Sequence, residues 1–111
     1  MRRGEIRVVR GAEPAQEGGN AVIVSNDGAN QAATRLGRGA VTVVPITPNV
    51  TRIYAFQVLL PAGECGLAVD STARAEQVRS VPVERVGRTV GQVPPALMTK
   101  VDHALRVHLG L

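Results

Sequence analysis

Three polar side chains are of the types that phosphoryl-transfer chemistry uses. Thr47 ends an apolar segment, and Arg74 and Glu76 lie two residues apart further along the chain. A hydroxyl group at a strand end can donate a hydrogen bond to a phosphoryl oxygen as charge builds there. A carboxylate can accept the proton of the 2′-hydroxyl group of RNA, and a guanidinium group can neutralise the phosphorane. Because that nucleophile belongs to the substrate, RNA cleavage by such groups would need no metal ion.

Each of these residues also has a simpler interpretation, which the spacing alone favours. Thr47 precedes Pro48-Asn49, where a threonine commonly stabilises a turn by bonding its own backbone. Arg74 and Glu76 would form a surface ion pair, which contributes little to stability. If their segment is extended, one face carries Thr72 together with Arg74 and Glu76, since residues two apart in a strand point the same way.

Short β-strands are predicted to position these residues. The alternating or apolar segments that predict strands are Glu5–Val9, Ala21–Ser25, Ala40–Pro45, Arg52–Leu60, Leu67–Ala73, Glu76–Val81 and Val86–Val90. A loop is predicted over Gly11–Asn20 and a turn over Gly63–Gly66. Asn26–Leu36 is predicted as a short helix or turn, because it starts with cap-forming residues.

The C-terminal segment changes to helical spacing. Pro94-Pro95 can start a helix, Gly110 can end it, and apolar residues recur between them at three- and four-residue intervals. One helix cannot cover two open sheet faces, so barrel closure or dimerisation is needed. The fold class is therefore predicted as mainly β (β-rich α+β), with about five to seven short strands in a small barrel and a C-terminal amphipathic helix.

Composition sets broad limits on function. The 111 residues predict one domain spanning 1–111. The net charge of +4 permits an acidic or phosphate-bearing partner without requiring one. Tyr54 and Phe56 are the two aromatic residues; both are candidates for base stacking, and Phe56 is expected in the core. The single cysteine, Cys65, and the lack of a signal peptide or apolar span predict a cytoplasmic protein without membrane association.

Metal and cofactor sites are not predicted. His103 and His108 lie five residues apart on the predicted helix, which does not match the spacing of paired helical ligands. They are expected on the helix surface or in packing contacts. The glycines do not form a nucleotide-binding fingerprint. Cys65 has no histidine near it in the sequence, so a catalytic thiol is not expected.

The order of several short segments resembles the MazF/PemK family of toxin endoribonucleases. The segments are Arg2–Ile6 (RRGEI), Ala21–Asp27 (AVIVSND), Thr42–Thr47 (TVVPIT), Phe56–Leu60 (FQVLL), Gly66–Ser71 (GLAVDS), Ala75–Val81 (AEQVRSV) and the C-terminal Lys100–Leu105 (KVDHAL). The resemblance implies a small SH3-like (CcdB-like) barrel and a homodimer. It also implies metal-independent cleavage of single-stranded mRNA to 2′,3′-cyclic phosphate and 5′-hydroxyl ends, and a cognate antitoxin with an acidic tail.

Two departures from the family pattern bear on mechanism. Arg7 stands where the opening strand usually carries Trp or Tyr. Gly19-Asn20 stand where much of the family carries a catalytic loop arginine. Members of the PemK branch use an Arg-x-Asp pair in a later strand instead, and Arg74-Ala75-Glu76 resembles that pair with Glu in place of Asp. The resemblance therefore implies catalysis by Thr47, Arg74 and Glu76.

Five further residues are predicted to contact RNA. Gln77 and Arg79 match family positions near the RNA path, and Asn49, Arg52 and Arg10 complete the set. Arg10 or Arg52 is the alternative source of the missing loop charge. Two other functions remain open: a non-catalytic binding module of the same fold, and a relative of the gyrase-inhibiting toxins. The C-terminal Trp-Gly-Ile that marks the gyrase inhibitors is absent from the sequence.

Overall fold

The computed structural model describes residues 1–11 and 18–111. Its strands are β1 (Glu5–Val9), β2 (Gly19–Ile23), β3 (Ala40–Thr47), β4 (Gln57–Leu60), β5 (Ser71–Arg74), β6 (Arg79–Pro82) and β7 (Val86–Gln92). The helices are α1 (Asp27–Leu36), α2 (Ala62–Cys65) and α3 (Pro95–Leu109), and short 3₁₀ turns span Ala75–Gln77 and Val83–Arg85. The predicted mainly β fold with a C-terminal helix is confirmed.

All strand pairs are antiparallel, in the order β4-β5-β3-β2-β1-β7, and β6 pairs with β3 outside this path. The long strand β3 pairs with two different strands along one of its edges. Its first half, Ala40–Val43, pairs with β6, while Ile46 and Thr47 pair with β5. The end of β3 therefore leaves the main sheet and joins a smaller one with β5 and β4, which carries two of the predicted catalytic residues, Thr47 and Arg74.

The core is aliphatic and lies mainly between the sheet and α3. Helix α3 buries Leu97, Met98, Val101 and Ala104 against strand residues such as Leu60. Pro95 occupies its first turn, and Gly110 closes it in the left-handed conformation, as predicted. Close packing also requires Gly91, where a Cβ atom would lie 2.4 Å from the Cys65 carbonyl oxygen.

The Ser25-Asn26-Asp27 segment builds the start of α1. The Asn26 side chain accepts a hydrogen bond from the Ala29 N–H at 2.8 Å and caps the helix. The fully buried Asn30 donates to the Ser25 carbonyl oxygen at 2.8 Å and is bonded to the Ser25 hydroxyl. That hydroxyl oxygen accepts from the Thr42 N–H at 3.0 Å. This motif therefore fixes α1 to β3, which is a structural role.

The N-terminal segment Arg2–Ile6 also has a structural role, because its side chains bond to other elements of the fold. The Arg3 N–H donates to Asp27 at 2.6 Å, and the Arg3 guanidinium group donates to the Val24 carbonyl oxygen and pairs with Asp102 of α3. Glu5 accepts hydrogen bonds from the Arg2 N–H and from Arg7. Arg7, which stands in place of an aromatic residue, is thus held by an ion pair.

Several predicted elements were wrong in their bounds. The predicted strand Arg52–Leu60 begins only at Gln57, because Tyr54–Gln57 closes a turn in which the Gln57 N–H donates to the Tyr54 carbonyl oxygen at 2.9 Å. The predicted turn at Gly63–Gly66 is the single-turn helix α2, and Leu67–Asp70 precedes β5 rather than belonging to it. The predicted strand Glu76–Val81 is divided between a 3₁₀ turn and β6.

The loop predicted over Gly11–Asn20 was wrong at one end. Gly19 and Asn20 belong to β2, where they pair with Val9 and Val8 of β1. Residues 12–17 of this predicted loop lie outside the described part of the chain. The positions where much of the family carries its loop arginine are therefore strand positions here.

Candidate active site

Polar side chains collect on one face of the small sheet formed by the end of β3 with β5 and β4. Thr47 lies directly opposite Thr72, and Arg74 lies directly opposite Gln57. Cross-strand partners share a face, as do residues two apart in one strand. The opposite face carries Ala73 and is buried in the core. The β-pairing therefore brings Thr47 and Arg74, two of the three predicted catalytic residues, to the same face.

Glu76 reaches this face by a different route from the predicted one. The chain leaves the extended conformation at Arg74 and forms the 3₁₀ turn Ala75–Gln77, so the predicted extended face of Thr72, Arg74 and Glu76 is wrong at its last member. The Glu76 carboxylate instead turns toward β4, where its Oε2 accepts a hydrogen bond from Gln57 Nε2 at 2.6 Å. A side-chain contact, rather than strand alternation, holds it beside Arg74.

The hydroxyl group of Thr47 does stabilise a turn. Its Oγ1 accepts a hydrogen bond from the Asn49 N–H at 3.3 Å, and Asn49 Oδ1 accepts from the Thr51 N–H at 3.1 Å. The buried Thr72 hydroxyl donates to the Asn49 carbonyl oxygen at 2.9 Å. The Thr47 oxygen acts as an acceptor in this arrangement, so its hydroxyl proton is still available to donate. The structural and catalytic interpretations of Thr47 are therefore compatible.

A cavity of about 290 Å³ opens beside these residues. It is lined by Asn49, Thr51, Arg52, Tyr54, Gln57, Thr72 and Arg74. Three residues predicted to act in catalysis or RNA binding thus share one cavity, namely Asn49, Arg52 and Arg74. A larger cavity of about 620 Å³ lies between β4 and α3, and neither Thr47, Arg74 nor Glu76 lines it. Its walls are mainly apolar, whereas the smaller cavity is lined by Arg74, although not by Thr47 or Glu76.

Aromatic rings border the smaller cavity. The rings of Tyr54 and Phe56 are stacked with 5.4 Å between their centroids, and the Arg52 guanidinium carbon lies 4.9 Å from the Tyr54 ring centroid. Phe56 was predicted to be in the core, but it is only partly buried and packs on Tyr54 instead. Both aromatic residues of the chain therefore lie together with a cation near the candidate site, as base stacking requires.

Arg74 and Glu76 retain polar atoms that the described residues do not satisfy. Within residues 1–11 and 18–111, Nε of Arg74 and Oε1 of Glu76 are buried and have no hydrogen-bond partner. The ion pairs in those ranges join Arg3 to Asp102 and Arg7 to Glu5, so Arg74 and Glu76 do not pair with each other. The alternative interpretation as a simple surface ion pair is therefore wrong. Unpaired buried groups are costly, and a catalytic role is one reason that proteins keep them. Nε of Arg85 is a third such atom in the described ranges.

The remaining predicted RNA-binding residues lie around this site or away from it. Gln77 and Arg79 are exposed, at the end of the 3₁₀ turn and the start of β6. Arg10 follows β1, where its backbone N–H donates to the Arg85 carbonyl oxygen and its guanidinium group donates to the Glu84 carbonyl oxygen. Arg10 does not line the small cavity, whereas Arg52 does. Arg52 is therefore the better placed loop cation.

Gln57 is the site residue that the sequence did not single out. It lies opposite Arg74 and bonds Glu76, yet its sequence context resembles an ordinary alternating strand. The described residues contain no group of three or more His, Cys, Asp or Glu side chains arranged to hold a metal ion. His103 and His108 are both exposed on α3, as expected. No helix in the described ranges is long and apolar enough to cross a membrane.

Comparison with known proteins agrees with this fold. The family model of the PemK-like, MazF-like toxin of type II toxin–antitoxin systems matches residues 2–109. Endoribonuclease MazF9 of Mycobacterium tuberculosis is 53% identical over 116 aligned residues, which cover 100% of this chain and 98% of that protein. A probable endoribonuclease MazF1 of the same organism is 64% identical over 33 residues, or 30% of this chain.

Solved structures share the fold. A mycobacterial endoribonuclease in complex with its cognate antitoxin has a TM-score of 0.77 and 23% identity, covering 100% of this chain and 96% of that one. A MazF from Deinococcus radiodurans in complex with MazE has a TM-score of 0.76 and 21% identity, covering 100% and 96%. The family match spans nearly the whole sequence, and the resemblance inferred from its short segments is confirmed. This chain belongs to the PemK-like, MazF-like family of toxins of type II toxin–antitoxin systems.

Proposed function

We propose that this toxin is a metal-independent endoribonuclease that cleaves single-stranded mRNA at specific sequences. Glu76 accepts the proton of the 2′-hydroxyl group, and the resulting O2′ attacks the adjacent phosphorus atom. The bond to the 5′-oxygen of the next nucleotide breaks as that oxygen takes a proton from solvent water, which leaves a 2′,3′-cyclic phosphate and a 5′-hydroxyl end; Glu76 releases its proton to the solvent. Arg74 and the Thr47 hydroxyl group donate to the phosphoryl oxygens and the leaving oxygen as negative charge develops on them.

The unsatisfied pair of atoms on Arg74 and Glu76 is the observation that carries this proposal. A buried guanidinium nitrogen and a buried carboxylate oxygen, both without partners among the described residues, supply a donor for a phosphate oxygen and an acceptor for the proton of the 2′-hydroxyl group. The relative that is 53% identical is named an endoribonuclease, which supports the same activity. The name of this relative favours RNA cleavage over the binding-only and gyrase-inhibiting alternatives.

RNA binding is proposed to involve the residues around the small cavity. Asn49 and Arg52 line it, and Gln77 and Arg79 are exposed beyond the 3₁₀ turn. Arginines bind phosphates without reading sequence, so Arg52 and Arg79 are assigned to the backbone and Asn49 and Gln77 to base edges. Arg10, bonded to the Glu84 carbonyl oxygen, is assigned a secondary phosphate contact along the same strand of RNA.

The partners proposed for the single domain of residues 1–111 are a second copy of the chain and a cognate antitoxin. Solved relatives include complexes with a cognate antitoxin and with MazE. The net charge of +4 suits an antitoxin with an acidic tail. Action on mRNA implies that the toxin works in the cytoplasm.

Cleavage of a mixed-sequence RNA in EDTA, followed by analysis of the fragment ends, tests the proposed function. The expected ends are a 2′,3′-cyclic phosphate and a 5′-hydroxyl. A Glu76→Gln protein purified in parallel controls for contaminating ribonuclease, since it is expected to be at least about 100-fold slower. Fragments ending in 3′-hydroxyl and 5′-phosphate would contradict attack by the 2′-hydroxyl group. A protein that binds RNA without cutting it would support the binding-only alternative.

A further inference from the structure

Gln57 has both ends of its side-chain amide committed at the candidate site. Its Nε2 donates to Glu76 Oε2 at 2.6 Å, and its Oε1 accepts from the Tyr54 N–H at 3.2 Å. A flipped amide would turn an oxygen toward the carboxylate and an NH₂ group toward the N–H, so both bonds would be lost. The two contacts therefore fix a single orientation, with the donor facing Glu76.

This contact determines which carboxylate oxygen of Glu76 is free. Oε2 is occupied by the Gln57 amide, whereas Oε1 is buried and has no partner in the described residues. Glu76 sits in a 3₁₀ turn of only three residues, so its backbone provides little to restrict side-chain rotation. With one oxygen anchored, the other points in a defined direction and can accept a proton.

The same contact keeps Arg74 available. Gln57 and Arg74 are direct cross-strand partners, so their side chains leave the sheet on the same face and compete for the same carboxylate. Because Oε2 already accepts from the Gln57 amide, that oxygen is not free for Arg74. Arg74 and Glu76 accordingly form no ion pair in the described ranges, and Arg74 Nε remains unpartnered.

Gln57 also links the carboxylate to the loop that borders the cavity. Its Oε1 and its backbone N–H both bond to Tyr54, and the Ala75 N–H donates to the Phe56 carbonyl oxygen at 3.2 Å. The stacked rings and Arg52 are part of this loop. The loop is therefore connected to the Glu76 segment in two ways, through the Gln57 side chain and through the backbone bond between Ala75 and Phe56.

We propose that Gln57 is a positioning residue for RNA cleavage, which anchors the Glu76 carboxylate and keeps it from pairing with Arg74. This inference rests on the proposed function, because it assigns Gln57 an effect only through Glu76. Gln57→Leu removes both amide bonds and keeps a similar size. It is expected to lower the single-turnover cleavage rate at saturating RNA by about 10- to 100-fold, with RNA affinity changed less than about threefold.

A double-mutant cycle separates positioning from a general structural role. If Gln57 acts through Glu76, Gln57→Leu should slow the wild-type enzyme but have no further effect in a Glu76→Gln background. Equal rate losses in both backgrounds would overturn the inference. Gln57→Glu serves as a second variant, since a carboxylate facing Glu76 repels it; it should be at least as slow as Gln57→Leu. A Gln57→Glu enzyme at the wild-type rate would also overturn it.

The controls distinguish failure of this inference from failure of the proposed function. Gln31→Leu, on the exposed side of α1, is the matched substitution and should cleave at the wild-type rate. If Glu76→Gln itself cleaves normally, the assignment of Glu76 is wrong. If Glu76→Gln is slow while a folded Gln57→Leu cleaves at the wild-type rate, only the role of Gln57 is wrong. Thermal unfolding of each variant shows which ones are folded.

Discussion

Thr47 and Thr72 lie opposite each other in β3 and β5, and their hydroxyl groups hold the main chain of Asn49 from both sides. The Thr47 oxygen accepts from the Asn49 N–H, and the Thr72 hydroxyl donates to the Asn49 carbonyl oxygen. The Thr72 proton is therefore committed to the loop, whereas the Thr47 proton is not. This difference supports the proposed chemical role of Thr47 and gives Thr72 a structural role.

Substitutions at Thr47 should distinguish the effect of its hydroxyl group on cleavage from the effect of its side-chain shape. Thr47→Ser keeps the donor and should retain cleavage within about tenfold, whereas Thr47→Val should lose about 100- to 1,000-fold, the usual cost of one donor to a developing charge. Thr72→Val is the matched control. It should destabilise the fold by about 1 kcal/mol, the usual worth of a hydrogen bond, and slow cleavage less than Thr47→Val does. Equal rates for Thr47→Val and wild type would exclude the Thr47 hydroxyl from catalysis.

The buried Asn30 should matter for stability. It joins α1 to Ser25, whose hydroxyl oxygen receives the Thr42 N–H. Asn30→Leu would leave the Ser25 carbonyl oxygen without this donor, at a cost of about 1–3 kcal/mol in the free energy of unfolding. Gln31→Ala, one residue along on the exposed side of the same helix, should change it by less than about 0.5 kcal/mol. Urea unfolding measures the free energy of unfolding of each variant. If Asn30→Leu were as stable as Gln31→Ala, the structural role of this motif would be contradicted.

Cys65 should be an unreactive thiol. Burial, reinforced by the charge of Glu64, raises the pKa of Cys65 above its usual value of 9.0. The folded state thus favours the protonated thiol, and this contribution to stability is full below pH 9 and is lost as pH rises through the folded pKa. At pH 8 a thiol reagent should label the native protein far more slowly than the urea-unfolded protein. Labelling of the native and unfolded proteins at equal rates would show that the Cys65 thiol is accessible in the folded state.

The sequence was most informative where local chemistry decides structure. Asn26 predicted the start of α1 by its capping ability, and Pro95 and Gly110 predicted the ends of α3. The apolar run in β3 predicted the strand that leads to Thr47. These features depend on residues that are neighbours in the chain, so one sequence is enough to recognise them.

The prediction failed where a turn, or a contact between distant segments, overrides the strand-like pattern of the sequence. The alternation in Arg52–Leu60 resembles a strand, but the turn that ends at Gln57 removes its first half from the sheet. The extended conformation predicted for Glu76 gives way to a 3₁₀ turn, and Glu76 bonds Gln57, 19 residues earlier. Spacing within one segment contains no information about such a contact, so Gln57 was missed.

Single-turnover cleavage by arginine variants tests most directly the central claim, that the catalytic cation is Arg74 and not a loop arginine. Arg74→Ala should lower the rate at saturating RNA by at least about 100-fold. Arg52→Ala and Arg10→Ala should mainly weaken RNA binding. Arg88→Ala, an exposed arginine of β7, is the charge-matched control and should change neither rate nor affinity. Wild-type cleavage by Arg74→Ala, together with an inactive Arg52→Ala or Arg10→Ala, would contradict the account.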